Sequence, residues 1–349
     1  MRFFLDEVTS KERVLENMLK MNSFGGGDRL TGTVGQRQFC AWHKDETRAM
    51  GIDVVSKDYV FERWEAKDCS LTVDGEEVGV SSPFHYSGLT SEEGVTAPLC
   101  AVSDNPLDFQ RARGKIAVCR IKNLSAISSR VAFNKRASVP ADMEIEKSYR
   151  GPVSTAFVKT LPTFWALKSA GVKGMVCVWE DMSDAMVEGQ CLNFILGYLG
   201  VPVLWVNETE GGKVLAAAKA KKTATLRLVG SIEKEAHTES FHALIPGTDG
   251  GNEAIVINTH TDGCNFCEEN GGVGMLEMMR WFKAHPAKRT LIFAFVTGHF
   301  RLPVFRVGVM TSNQATGRWL ADNPELWNGK KYKAVAGCSV EHLGCTEWK

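Results

Sequence analysis

The chain of 349 residues is long enough for two domains that each bury a core. It carries 41 Lys plus Arg and 41 Asp plus Glu, so its formal net charge is zero. This balance argues against a nucleic-acid partner, which would need a basic surface to neutralise phosphates. Since no stretch approaches about 18 consecutive apolar residues, no transmembrane helix and no membrane partner are predicted.

The cellular location is predicted from the N-terminus and the cysteines. The opening MRFFLDEVTSKERV lacks the apolar stretch of a signal peptide. The 10 cysteines follow no disulfide-scaffold spacing, so they are interpreted as reduced thiols. A cytoplasmic protein is expected, with its oligomeric state left open.

The first 64 residues predict two helices and a strand. KERVLENMLK (11–20) has the pattern of an amphipathic helix, and a Gly-rich break follows it. QRQFCAWHKDETRAM is expected to be helical up to Gly51, which would terminate it in a left-handed conformation. IDVVSKDYVFERW alternates and predicts a strand.

Residues 65–230 predict a separate α/β unit. Short strands such as GKIAVCRI lie between turn residues, and a polar loop is expected over Asn123–Val153. AFVKTLPTFWALKSAG predicts a helix before the apolar strand VKGMVCVWE. VPVLWVN, ETEGGKVLAAAKA and TATLRLVG then predict a strand, a helix and a final strand. Four aromatic residues of this unit are expected to be core rather than a substrate platform: Phe164, Trp165, Trp179 and Trp205.

From residue 231 strands and helices alternate again. FHALIPG, EAIVINTH and RTLIFAFVTG predict strands, the last apolar enough for burial on both faces. Gly271–His285 and ATGRWLADNP predict helices, and YKAVAGCSVEHLG predicts another buried strand. The alternation favours an α/β fold with a mixed, mostly parallel sheet flanked by helices.

Polar residues that can bind a metal ion follow three of these strands. His260 ends AIVINTH, His299 follows RTLIFAFVTG, and Glu341 lies at the end of the last strand. Ligands collect at the carboxyl ends of parallel strands. Asp262, two residues after His260, is placed to accept a ring N–H and fix its tautomer, and Glu268 and Glu269 begin the next turn. The sequence therefore predicts a site for zinc or a harder divalent ion.

Each of these residues also has a purely structural interpretation. Glu268 and Glu269 can be acids that stabilise the first turn of the following helix, and His299 can be a hydrogen-bonded histidine under a loop. Because side chains alternate along a strand, at most one of Glu341 and His342 is expected to face the site, and Glu341 is preferred. The Cys264–Cys267 pair is expected to have no special role, since no second pair with zinc-site spacing lies nearby.

Three stretches, in order, resemble the zinc aminopeptidase family that includes transferrin receptor and glutamate carboxypeptidase. GGGDRLTGTVG and the helix after it are similar to the family's opening turn, and IPGTDGGNEAIVINTHTDGCNFCEENGGVGMLEMMRWF is similar to its metal-binding segment. Between them, the run from PLCAVSDNPLDF to GVPVLWVNETEGG resembles an inserted protease-associated domain. The resemblance implies three segments: residues 1–64 and 231–349 as the peptidase-like domain, incomplete at its C-terminus, and residues 65–230 as the insertion.

The resemblance also implies roles for single residues. His260 matches a zinc ligand, Asp262 its orienting carboxylate, Glu268 the metal-bridging acid and Glu341 another ligand. At FAFVTGHF the family has two adjacent glutamates, a base and a second-metal ligand, where this chain has His299 and Phe300. The family's last histidine ligand would lie beyond Lys349. One ion is therefore expected rather than two.

The resulting functional hypothesis is a metal-dependent hydrolase that acts on a peptide or amide bond. His260, Glu268 and Glu341 would hold zinc or another divalent ion, Asp262 would support His260, and His299 would be the base. One alternative is a non-catalytic, peptidase-like binding protein whose metal site has been lost. Another is a different single-metal reaction, such as a lyase or cyclase step, that uses His299.

Overall fold

A computed structural model describes residues 9–122, 166–180, 182–189, 199–300 and 315–343. The helices in these ranges are α1 (Lys11–Ser23), α2 (Val34–Ala49), α3 (Asp184–Val187), α4 (Glu208–Lys219), α5 (Gly271–Ala284) and α6 (Ala315–Asp322). Three short 3-10 helices span Phe24–Gly27, Pro106–Ala112 and Pro324–Leu326. Among the described helices, none has the length and apolar character needed to span a membrane.

The chain divides into two units, and the boundaries between them fall after residues 63 and 231. Residues 9–63 and 232–343 belong to the first unit, and the described residues from 64 to 231 belong to the second. The strands are β1 (Val54–Val73), β2 (Glu76–Val78), β3 (Ser82–Pro83), β4 (Val95–Val102), β5 (Ile116–Lys122), β6 (Gly174–Glu180), β7 (Val203–Val206), β8 (Thr223–Ile245), β9 (Glu253–His260), β10 (Thr290–Val296) and β11 (Lys333–Ser339).

The sheet of the first unit has the order β11-β9-β10-β8 in the described residues. β9, β10 and β11 are parallel, whereas the C-terminal part of β8 pairs with β10 antiparallel. The crossovers from β9 to β10 and from β10 to β11 contain α5 and α6, as parallel neighbours require. The prediction of an α/β fold with a mixed, mostly parallel sheet flanked by helices is confirmed.

The two faces of this sheet bury different helices, because successive side chains of β10 point to opposite faces. Phe293 and Phe295 lie in one apolar cluster with Phe39 of α2 and Met275 of α5. Ile292 and Ala294 lie in another, with Trp319 of α6. Burial on both faces explains why β10 is apolar at every position from Leu291 to Val296.

The second unit has its own sheet and cores. β4, β5, β6 and β7 are parallel neighbours, and the N-terminal part of β8 pairs with β4 antiparallel. Trp179 and Trp205 are buried, as predicted, and their rings lie 5.0 Å apart. The boundaries proposed from the sequence and the protease-associated character of this unit stay predictions.

Two strands differ from their prediction. TATLRLVG and FHALIPG are parts of one strand, β8, because the polar run between them is also extended. β11 was expected to be buried, but most of its side chains are exposed, since it pairs only with β9 in the described part of the chain. The predicted loop Asn123–Val153, most of the helix predicted over 156–171, and both Phe164 and Trp165 lie outside the described residues.

Candidate metal centre

The parallel strands bring the predicted ligands to one edge of the sheet. His260 is the last residue of β9 and pairs with Val296, the last residue of β10. On the other side, Asn258 of β9 pairs with Ser339, where β11 ends. His299 and Glu341 therefore follow strand ends that flank His260.

The hydrogen bonds of His260 define its tautomer. Nδ1 lies 2.7 Å from the main-chain carbonyl of Asp262, which can only accept, so Nδ1 carries the proton. Nε2 is buried and has no hydrogen-bond partner, although Oε2 of Glu341 lies 3.3 Å away. In the neutral ring Nε2 holds a lone pair, and this lone pair faces a carboxylate.

The charges of His260 and Glu341 depend on each other. Burial opposes protonation of His260, but the carboxylates of Glu341, Asp262 and Glu268 outweigh it and raise the pKa of His260 to about 9. The contact with His260 in turn lowers the pKa of Glu341 to about 2, against the effect of burial. Two lone-pair donors at this distance need a cation between them, either a proton or a metal ion.

Asp262 supports the site in a different way from the one predicted. Its carbonyl, not its carboxylate, accepts the N–H of His260, and Oδ1 of the carboxylate lies 4.0 Å from that nitrogen. The other oxygen, Oδ2, accepts the Thr31 hydroxyl at 2.5 Å and the N–H groups of Gly298 and Phe300 at 3.2 and 2.9 Å. Asp262 thus holds the peptide groups on both sides of His299.

Glu268 and His299 also lie close to the His260 ring. The His260 and His299 rings are stacked with centroids 4.2 Å apart, and Nε2 of His299 lies 3.8 Å from Oε1 of Glu268. Burial would raise the pKa of Glu268, but the three surrounding histidines, His342 above all, lower it. Burial, and then the charge on His260, lower the pKa of His299. His299 is therefore neutral near pH 7.

The ligand atoms form two sets of three that share His260. One set is His260, Glu341 and His342, and the other is His260, Glu268 and His299; within each set the ligand atoms lie within 4.8 Å of one another. Glu268 and Glu341 both approach His260, as predicted, but they belong to different sets. The assignment of His260, Glu268 and Glu341 as ligands of one ion stays a prediction.

The expectation that at most one of Glu341 and His342 faces the site is wrong. β11 ends at Ser339, and His342 has a left-handed backbone with φ of 51°. The alternation of a strand therefore does not extend to these residues. His342 reaches both the first set and Glu268, whose Oε1 lies 3.4 Å from its Nε2.

A buried ion pair beneath the site has no signal in the sequence. Arg29 and Glu269 are both fully buried and form a salt bridge, and Nη2 of Arg29 donates to the carbonyl of Asn265 at 2.6 Å. Burial raises the pKa of Glu269 to about 7 despite the opposing effect of Arg29. Glu269 was interpreted only as a first-turn acid, because nothing local indicates a partner 240 residues away.

Close packing at the start of α5 sets the position of the chain after β11. A Cβ atom built on Gly271 would overlap the carbonyl oxygen of Val340 and lie 2.6 Å from Oγ1 of Thr259. Asn270, the N-cap residue, accepts the N–H of Leu343 at 2.7 Å and donates to its carbonyl at 3.0 Å. The helix start and the segment that carries Glu341 and His342 are therefore in direct contact.

The fold of this chain is similar to the folds of several solved peptidases. A zinc aminopeptidase from Bacillus subtilis superimposes with a TM-score of 0.61 at 17% identity, over 95% of this chain and 69% of that one. A peptidase of family M28 from Shewanella amazonensis gives a TM-score of 0.63 at 12% identity, over 94% and 70%. An aminopeptidase from an Aneurinibacillus strain gives 0.57 at 15% identity, over 97% and 71%.

Because sequence identity is low in all three comparisons, they show a shared fold and nothing about activity. No protein-family profile and no curated sequence matches the chain. What this chain does therefore has to be argued from its own residues.

Proposed function

We propose that this protein is a metal-dependent hydrolase that cleaves peptide or amide bonds with one divalent ion, such as zinc, bound at His260. The observation that carries the proposal is the pair formed by Nε2 of His260 and Oε2 of Glu341. Nε2 is buried without a hydrogen-bond partner and lies 3.3 Å from the carboxylate. The fold that the chain shares with zinc aminopeptidases supports the proposal.

The donor set fits a catalytic zinc ion. Zinc sites in enzymes combine imidazole and carboxylate ligands and leave one position open. A second interaction that fixes the ring of a histidine ligand is usual in such sites. Here the carbonyl of Asp262 holds Nδ1 of His260, so that Nε2, 3.3 Å from Glu341, would offer its lone pair to a metal ion that replaces the proton. Glu268 also approaches His260, because one ligand atom of each lies within 4.8 Å of the other.

Bound at this position, a divalent ion would polarise the scissile carbonyl and make water a stronger acid. His299 supplies the base. It is neutral near pH 7, because burial lowers its pKa, and it stacks directly on His260. Glu268, at 3.8 Å from Nε2 of His299, stabilises the imidazolium that forms when His299 accepts a proton.

Phe300 supports one ion rather than two. Its ring is buried and offers no ligand atom, and its N–H is bound by Asp262. Oδ2 of Asp262 already accepts three hydrogen bonds, and two of them hold the backbone on either side of His299. The role of Asp262 in this proposal is to position His260 and His299.

The experiment that tests this function combines metal analysis with an activity assay. Purified protein is dialysed against zinc and then against metal-free buffer, and the metal per chain is measured. Hydrolysis of short unblocked peptides is followed with and without a chelator. We expect about one ion per chain and turnover that is lost with the chelator and restored by zinc. A matched pair of variants, His260→Asn and the exposed His237→Asn, assigns the ion to this site.

Two results would contradict the proposal. A folded protein that retains no zinc would favour the alternative of a binding protein whose metal site has been lost. Stoichiometric zinc without hydrolysis of any peptide or amide would favour a different single-metal reaction.

A further inference from the structure

The chain after β11 makes an unusual backbone turn at the metal centre. His342 has φ of 51°, a conformation that costs a residue with a Cβ about 1 kcal/mol or more and occurs at sites where the surroundings enforce it. The turn has a consequence for side-chain direction, because Glu341 and His342 both reach the His260 side of the chain.

Hydrogen bonds hold this turn from both ends. Before it, the N–H of Val340 donates to the carbonyl of Asn258 in β9 at 2.8 Å. After it, Leu343 exchanges two hydrogen bonds with the side chain of Asn270, which is buried at the start of α5. The position of His342 is thus fixed by β9, which ends at His260, and by the start of α5, which follows Glu268.

We infer that His342 is a ligand of the ion at His260 and Glu341, and that Glu268 orients His342 without binding the ion. This inference rests on the proposed function and changes the ligand set that the sequence predicts. The three ligand atoms of His260, Glu341 and His342 lie within 4.8 Å of one another, and two imidazoles with one carboxylate form a usual set for catalytic zinc.

The position of Glu268 fits an orienting role. Its Oε1 lies 3.4 Å from Nε2 of His342 and 3.8 Å from Nε2 of His299, so one carboxylate contacts both rings. Histidines that bind metals commonly donate their other ring N–H to a carboxylate, which fixes the ring. With Glu268 outside the ligand set, His299 remains available as a base.

Two conservative substitutions distinguish the role of His342 as a ligand from the role of Glu268 as an orienting residue. His342→Asn removes the imidazole but keeps a residue that tolerates a left-handed backbone. Glu268→Gln keeps an oxygen that can accept from His342. We expect Glu268→Gln to weaken zinc binding by about 10-fold, within the range for residues that hydrogen-bond a metal ligand. We expect His342→Asn to weaken zinc binding by more than about 100-fold, which exceeds that range. Zinc affinity is measured by competition with a chelator, with His237→Asn as the control.

X-ray absorption of the zinc-loaded protein gives a direct readout. We expect two imidazoles on zinc in the natural sequence and one in His342→Asn. If the variant does not fold, nitrogen-15 NMR of the natural protein replaces it, and the ring nitrogens of both His260 and His342 should shift when zinc is added. A single imidazole in the natural protein, or an unshifted His342 ring, would overturn the inference and leave the proposed function intact. Failure of His260 to bind zinc would instead overturn the proposed function.

Discussion

His260 and His299 stack with their ring centroids 4.2 Å apart and their planes inclined by 28°. A positive charge on one ring disfavours a charge on the other, and the pKa of His299 is lowered by burial and by His260. The residue that is poised to bind a cation thus keeps its neighbour neutral. The same arrangement places His299, the proposed base, beside His260, the proposed metal ligand.

The position of His299 in this stack predicts that its loss lowers activity but not metal content. His299→Ala should lower kcat by about 100-fold to 10,000-fold, the usual contribution of a general base, while metal content stays near that of the natural protein. Peptide hydrolysis and metal analysis of the same samples check this, with His237→Ala as the control. Unchanged activity would show that His299 is structural.

Asp262 is expected to matter for both stability and metal binding. In Asp262→Asn, one side-chain atom next to Gly298, Phe300 and Thr31 loses its charge or becomes a donor, so the turn of His299 loses charge-assisted hydrogen bonds. We expect a loss of about 2 kcal/mol in the free energy of unfolding and a fall of about 10-fold to 100-fold in zinc affinity. Asp249→Asn, at an exposed turn that binds the N–H of Gly251, is the matched control. Equal effects in the two variants would contradict a special role for Asp262.

For the buried Arg29–Glu269 pair, we expect the single substitution of Arg29 to lower the free energy of unfolding more than the substitution of both residues. Arg29→Met should destabilise the first unit by about 3–5 kcal/mol, because Glu269 is left buried without its partner. Adding Glu269→Gln should recover part of this loss. Arg289→Met breaks the half-exposed pair with Glu253 and should cost less than about 1 kcal/mol. Urea unfolding checks all three, and similar losses for Arg29→Met and Arg289→Met would refute the argument.

His43 predicts a pH dependence of stability. Its ring is fully buried between Phe39, Trp42 and Phe295, and burial lowers the pKa of His43 from 6.5 to about 4. The unfolded chain therefore binds a proton between these values and the folded chain does not. The contribution of neutral His43 to the free energy of unfolding is complete above pH 6.5. It falls by about 3 kcal/mol as the pH drops towards 4.

Urea unfolding at pH 7 and pH 4.5 measures this dependence. His43→Gln should make the first unit less sensitive to acid. His85→Gln, which removes the other buried histidine with a pKa of about 4, should act on the second unit instead. An unaltered pH dependence in His43→Gln would disprove the prediction.

The sequence predicts the strand ends of the site because their signal is local. An apolar run followed by His260, His299 or Glu341 is visible in the letters, and parallel pairing brings such ends together. The next turn offers both Glu268 and Glu269, and the family resemblance selects Glu268. These residues could be named without the structure.

Residues that depend on tertiary contacts could not be named. The direction of His342 follows from one left-handed residue beyond the end of β11, and a period of two predicts the opposite. The partner of Glu269 lies 240 residues away, and the acceptor for His260 is a main-chain atom. None of these has a local pattern, since main-chain atoms and left-handed turns at non-glycine residues carry no residue-type signal.

At Gly271, the residue type that favours the helix differs from the residue type that fits beside Val340. Alanine would suit the first turn of α5 better by about 1 kcal/mol, since glycine is a poor helix former. A methyl group there, however, would displace Val340 and with it the residues that complete the site. An alanine could be accommodated there only if Val340, and with it Glu341 and His342, moved away from His260. Selection for a bound ion would therefore retain glycine.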